Sequence, residues 1–213
     1  MTTQPVIVEI LVEEPSAAKA LDLLLPKIVP GVPYFIREFR GKDMLLKELP
    51  ARLRGYAGRL RQGALRVVVL VDRDDDDCGI LKDRLNRHAW DAGLSTSWTG
   101  GQVQLLNRIA VEELEAWFFG DVPALCLAYP RVPASLGEQA KFRDPDAIAG
   151  GTWEALERLL MKHRYHVSGL RKLQAASEIA SFMDVENNRS KSFQVFRDGL
   201  RRLVNEEHNA QAY

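Results

Sequence analysis

The chain has 213 residues, 46% hydrophobic and 27% charged, and its 29 basic side chains balance its 29 acidic ones. That length supports a buried core without disulfides or a structural zinc, and the two cysteines, Cys78 and Cys126, lie far apart with no CxxC, which excludes a disulfide framework or zinc ribbon. Zero net charge names no partner by itself, although it is compatible with a basic face opposite an acidic one.

No run approaches the ~18 uninterrupted apolar residues of a membrane span. Met1–Pro5 is short and polar and does not read as a signal peptide. Sparse cysteine fits a reducing compartment, and the cytoplasm is the expected location.

Residues 6–12 (VIVEILV) form a β-branched, almost wholly apolar run, as expected of a strand covered on both faces. Glu13-Glu14-Pro15-Ser16 ends it, and Pro15 suits the first turn of a helix reaching Ile28. Tyr34–Phe39 reads as a second strand. From Asp43, apolar residues at 45, 46, 49, 53, 56, 57 and 60 predict an amphipathic helix disturbed near Pro50. Arg66–Val71 is the strongest strand signal and runs directly into Asp72–Asp77. A helix is expected over Gly79–Ala92, a weak strand at 94–98 (LSTSW), a strand over Val103–Val111 and a short helix over Glu112–Phe119.

Alternating strands and helices predict an α/β fold with a mostly parallel sheet flanked by helices over residues 1–120. Residues 130–151, rich in Pro and Gly, read as a loop, and helices follow at 152–163, 168–182 and 192–204. Residues 121–213 are therefore expected to be a C-terminal helical extension packed on the core in one globular unit.

Five of the six residues Asp72–Asp77 are Asp, directly after a strand that reads as central. Sites in open parallel sheets form at the carboxyl ends of such strands. Gathered carboxylates repel and raise one another's pKa, and a divalent cation that prefers oxygen ligands, Mg²⁺, Mn²⁺ or Ca²⁺, offsets that cost. Asp72 and Asp74, nearest the strand, are the expected ligands; the competing reading is a solvated loop that starts the next helix. Glu13 occupies the matching place after the first strand, as a further ligand, a general acid/base, or a surface residue starting a helix. Glu112, Glu113 and Glu115 form a third cluster. In one helix Glu112 and Glu115 would share a face. Of the three, Glu113 or Glu115 is expected to complete the site; an exposed acidic helix start is the alternative.

Phosphoryl chemistry also needs cations. Arg73, Lys141, Arg143, Arg189 and Lys191 are the candidates for phosphate contact, the last two within NNRSKS, which also reads as an ordinary helix N-cap with Ser190 and Ser192. The arginines of 52–61 suit either a nucleic-acid backbone or solvent. His163 and His166 read as surface or interhelix residues, and Trp98, Trp117, Phe118 and Phe119 as core. There is no Walker A, no G-x-G-x-x-G and no G-x-S-x-G.

Glu13 in ILVEEPS, with Asp72 and Asp74 in VVVLVDRDDDD, resembles the Toprim domain of topoisomerases, primases and OLD-family nucleases. RIAVEELEAWFFGD and NRSKSF resemble a stand-alone prokaryotic Toprim-like family of unknown function. The resemblance implies one or two Mg²⁺ (or Mn²⁺) ions and a glutamate acting as general acid/base in making or breaking phosphodiester bonds, hence a metal-dependent nuclease. Two features depart from the pattern. Glu14 and Pro15 follow the glutamate where Toprim domains usually place glycine, and the chain carries no ATPase of the kind that often accompanies such nucleases, so a protein partner is one expectation. A catalytically inactive binding or regulatory module, for example in phage defence, is the second reading. A phosphotransferase or phosphatase of the aspartyl-phosphate type ranks third, because its Asp-x-Asp usually follows the first strand.

Overall fold

The computed structural model describes residues 6–96 and 103–210. Four strands, β1 (Ile7–Val12), β2 (Tyr34–Glu38), β3 (Leu65–Asp72) and β4 (Leu105–Ala110), form an all-parallel sheet in the order β2-β1-β3-β4. The helices between them are α1 (Pro15–Ile28), α2 (Lys42–Arg61) and α3 (Cys78–Asp91). β3 is buried along its whole length, as its apolar run requires. Alternate side chains serve opposite faces. Val67, Val69 and Val71 pack with leucines of α2 and α3, whereas Val68 and Leu70 join Ile10, Leu21, Trp117 and Phe196 on the other side.

The chain passes from β1 outward to β2, returns over the sheet with α2 and continues from β3 to β4. α1 lies on one face and α2 with α3 on the other. The strand order therefore reverses between β1 and β3, and the carboxyl ends of those two strands form the crevice where doubly wound sheets place their ligands.

The C-terminal half supplies α4 (Glu115–Gly120), α5 (Val122–Ala128), α6 (Thr152–Lys162), α7 (Lys172–Phe182) and α8 (Lys191–Ala210). They complete the α1 side of the sheet, so the helical extension shares its core with the strands. Lys27 on α1 donates to the carbonyls of Ala180, Ser181 and Met183, placing a cation at the negative end of α7. Among the described residues no helix is long and apolar enough to cross a membrane.

Several local expectations change. Residues 94–96 form no strand: the Ser95 carbonyl accepts from the amides of Gln104 and Leu105, and the Ser95 amide donates to Gln104 Oε1. The rest of that segment, including Trp98, lies outside the described residues. α2 continues through Pro50. The short helix begins at Glu115, not Glu112, because Glu112 takes a left-handed φ of 62° and its carbonyl accepts from Asp74 N. α7 begins at 172 rather than 168, after a turn closed by Gly169 (φ 113°) donating to the His166 carbonyl. Within 130–151 the chain forms three short 3-10 segments.

The two stretches that resembled one family lock together. Trp117 Nε1 donates to Ser192 Oγ at 2.9 Å, Trp117 packs on Phe193 and Phe196, and Asn188 Nδ2 donates to the Trp117 carbonyl.

Candidate functional site

The parallel register sets Val12 beside Leu70 and Asp72 beside Ala110. Glu13 therefore emerges next to the end of β3, and its Oε1 accepts from the Asp72 amide at 2.6 Å. Asp72 has the parity of Val68 and Leu70, so its side chain enters the face covered by α1, α4 and α7. Glu115, in the first turn of α4, reaches the same place. Glu13, Asp72 and Glu115 are 5%, 9% and 4% exposed.

Burial raises the Glu13 pKa to about 7, with Asp74 and Glu14 adding to the rise against the Asp72 amide and Lys42. Burial likewise raises Glu115 to about 7, with Lys172 opposing it. Asp72 is pushed well above the carboxylate range, first by burial and then by the charges of Glu13, Glu115 and Asp74. No donor among the described residues bonds its carboxylate. Three acids raised by burial and by neighbouring carboxylates, at a sheet switch point, are the pattern expected of a functional site.

Two lysines stand beside them. Lys42, at the start of α2, pairs with Asp74 at 2.6 Å and Asp76 at 2.7 Å and donates to the carbonyls of Asp72 and Arg73. Lys172, at the start of α7, lies 3.5 Å from Glu14 and over the Trp153 ring, and is charge-coupled to Glu115 and Asp72. Neither was singled out from the sequence. Lys42 carried a faint signal, following a glycine just after β2. Lys172 carried none, because it lies 100 positions from Asp72.

The other predicted residues are placed differently. Asp74, at a left-handed φ of 48°, is turned toward Lys42. Asp77 is the N-cap of α3, accepting from Ile80 N. Glu113 is committed to the start of α6, where one oxygen accepts from Thr152 N, Thr152 Oγ1 and Trp153 N. Glu112 is ion-paired with Arg73, so Arg73 sits beside the site with its charge already answered. Lys141 lies over the Phe142 ring, and Arg189 packs over Gly137.

The amides of NNRSKS do not await a phosphate. Asp146 already accepts from Lys191 N and Ser192 N, and from the hydroxyls of Ser190 and Ser192. The ordinary N-cap reading holds there, with an internal carboxylate in the anion position. His163 ends α6, and His166 contacts the Tyr129 hydroxyl.

The donor chemistry of Glu13, Asp72 and Glu115 fits a hard divalent ion, since all are carboxylates whose mutual repulsion such an ion relieves. As placed, no three Asp, Glu, His or Cys side chains among the described residues form a ready metal cage, so binding requires side-chain rotation.

Residues 12–201 match the family described as "Domain of unknown function (DUF4276)". No curated protein and no solved structure matches the chain.

Proposed function

This chain belongs to that family, and we propose from its own residues that it is a Mg²⁺- or Mn²⁺-dependent enzyme that cleaves phosphodiester bonds in nucleic acid. The observation that supports this most is the buried trio Glu13, Asp72 and Glu115 at the switch point between β1 and β3. The Toprim resemblance of Glu13, Asp72 and Asp74 adds the choice of phosphodiester chemistry.

Asp72 and Glu115 would hold the ion, with Asp74 and Glu113 at the periphery. A divalent ion there supplies Lewis-acid stabilisation of charge on phosphate oxygens. Glu13, poised near pH 7 and fixed by the Asp72 amide, takes the proton of the attacking water as general base. Lys172 contributes positive charge for the substrate phosphate.

The test is cleavage of end-labelled single- and double-stranded DNA and RNA with Mg²⁺, Mn²⁺ or chelator, using wild type and Asp72→Asn. Metal-dependent cleavage lost by roughly 100-fold or more in a folded variant supports the reading. Equal rates in the two proteins overturn it.

A second reading is a Toprim-like binding or regulatory module without turnover, recognising a nucleic-acid end or a protein partner such as an ATPase, for example in phage defence. Its support is that Lys42 and Lys172 already answer part of the negative charge, and metal binding without cleavage would select it. Two unpaired cysteines support a cytoplasmic setting for either reading.

A further inference from the structure

The acids gathered at the carboxyl edge of the sheet fall into two groups by their partners. Glu13, Asp72 and Glu115 are buried together. Others are answered from within the chain. Glu112 pairs with Arg73, and Glu113 accepts from the Thr152 and Trp153 amides. Asp74 and Asp76 both close on the ammonium of Lys42.

That ammonium sits in a shell of four oxygens. Asp74 Oδ2 lies at 2.6 Å and Asp76 Oδ2 at 2.7 Å, and the Asp72 and Arg73 carbonyls each lie at 3.1 Å. A lysine ammonium has three protons, so four oxygens exceed what its hydrogen bonds can serve one to one. Two carboxylates and two main-chain carbonyls are instead the kind of donor set that proteins wrap around a hard cation. The Lys42 side chain is 15% exposed, against 47% and 50% for Asp74 and Asp76, so the charge lies beneath its carboxylates.

The loop is shaped around this charge. Asp74 holds a left-handed φ of 48° while its amide donates to the Glu112 carbonyl, and the Asp76 amide closes a turn on the Arg73 carbonyl. Left-handed backbone at a non-glycine residue persists where the surroundings over-determine it. Lys42 is delivered from the first position of α2, and the residue before it, Gly41, donates its amide to the Glu13 carbonyl. One main-chain joint therefore fixes Glu13 on one side and Lys42 on the other.

We infer that Lys42 is a tethered cation: it fills the cation position formed by Asp74, Asp76 and the Asp72 and Arg73 carbonyls, and so limits this edge to one divalent ion, at Glu13, Asp72 and Glu115. A second divalent ion would have to share the Asp74 and Asp76 oxygens with an ammonium already within 2.7 Å of both, and like charges that close repel. Lys42 is thus a positioning residue, holding the Asp74 loop against the sheet edge without a metal. The count of one ion rests on the reading under Proposed function; the occupied cation position does not.

The experiment counts bound Mn²⁺ by electron paramagnetic resonance at neutral pH, titrated into the millimolar range where weak carboxylate sites fill. Wild type should bind one ion per chain, Lys42→Ala two, and Lys42→Ala combined with Asp76→Asn one again. Lys42→Arg, which keeps the charge, should stay at one. Two ions in wild type, or one in a folded Lys42→Ala, overturns the inference and leaves the proposed enzyme standing. No ion in wild type sinks the metal-dependent reading instead. The tethered cation is then upheld by an ion that appears in Lys42→Ala and disappears with Asp76→Asn, and overturned if none appears. Should Lys42→Ala fail to fold, NMR of isotope-labelled lysine ammonium groups decides on wild type, with the Lys42 signal identified by its absence from Lys42→Arg. That signal should persist, slow to exchange with water, in excess Mg²⁺; its loss on Mg²⁺ addition overturns the inference.

Discussion

The Glu13 carboxylate accepts a 2.6 Å hydrogen bond from the backbone amide of Asp72, a residue 59 positions away. This bond ties the exits of β1 and β3 together at the point where the strand order reverses. It also sets the two acids side by side, so that after burial the Glu13 charge raises the Asp72 pKa, while the Asp72 amide lowers that of Glu13. The pair is held by the sheet and not by a flexible loop, which is why its repulsion persists in the folded state.

Divalent cations should therefore stabilise the protein. With Mg²⁺ or Mn²⁺ at 100 times its dissociation constant, linkage gives about 2.7 kcal/mol, or a Tm increase of roughly 5–10 °C for a chain of this size. Differential scanning fluorimetry should show the increase at pH 8, little of it at pH 5, and none in Asp72→Asn. An equal shift with Ca²⁺, Mg²⁺ and Na⁺ at matched ionic strength would reduce it to screening.

Stability without metal should fall as pH rises. Glu13 and Glu115 have folded-state pKa values raised from 4.5 to about 7, so the native state binds more protons than the unfolded chain between those values. Their contribution is fully present below about pH 4.5, declines through neutrality and is lost above about pH 7. The total is on the order of a few kcal/mol. Urea denaturation in chelator at pH 5, 6, 7 and 8 measures it, and Glu115→Gln should flatten the curve. Stability that climbs across this window in wild type would contradict the assignment.

Asp146→Ala should destabilise the fold by about 1–3 kcal/mol, because it strips the acceptor from two amides at the start of α8 and from the Ser190 and Ser192 hydroxyls. Arg189→Ala should leave cleavage unchanged, since that side chain packs on Gly137. A sharp loss of cleavage in a stable Arg189→Ala protein would restore its phosphate role.

Gly120→Ala should cost roughly 1–3 kcal/mol by overpacking. A Cβ there would sit 2.8 Å from the Ser190 amide nitrogen and closer still to Asn188 Oδ1. Neither can retreat without breaking the Asn188 bonds to Trp117 and Ser190. Equilibrium urea unfolding tests this, and a loss below ~0.5 kcal/mol would mean that the α4–α8 junction yields easily.

The sequence by itself determined the sheet, its mostly parallel character and the edge at which acids collect. Those features follow from local signals: the apolar runs 6–12 and 66–71, the helical periodicities between them, and acidic residues at the exits of β1, β3 and β4. Tertiary structure alone decided which acids meet. Glu115 joined Glu13 and Asp72, while Asp74 turned to Lys42, Glu113 capped α6, and Asp146 filled the start of α8, which the sequence offered either to a phosphate or to an ordinary N-cap. Strand and helix periodicity reports which face a side chain takes, over a few residues. The partner of a carboxylate is chosen by whichever donor or cation packing brings within reach, and Lys172 and Thr152 come from the distant helical half of the chain. The left-handed backbone at Glu112 shows the same limit. Its carbonyl is drawn to the Asp74 amide across the sheet edge, and that long-range bond moved the start of α4 and separated Glu112 from Glu115.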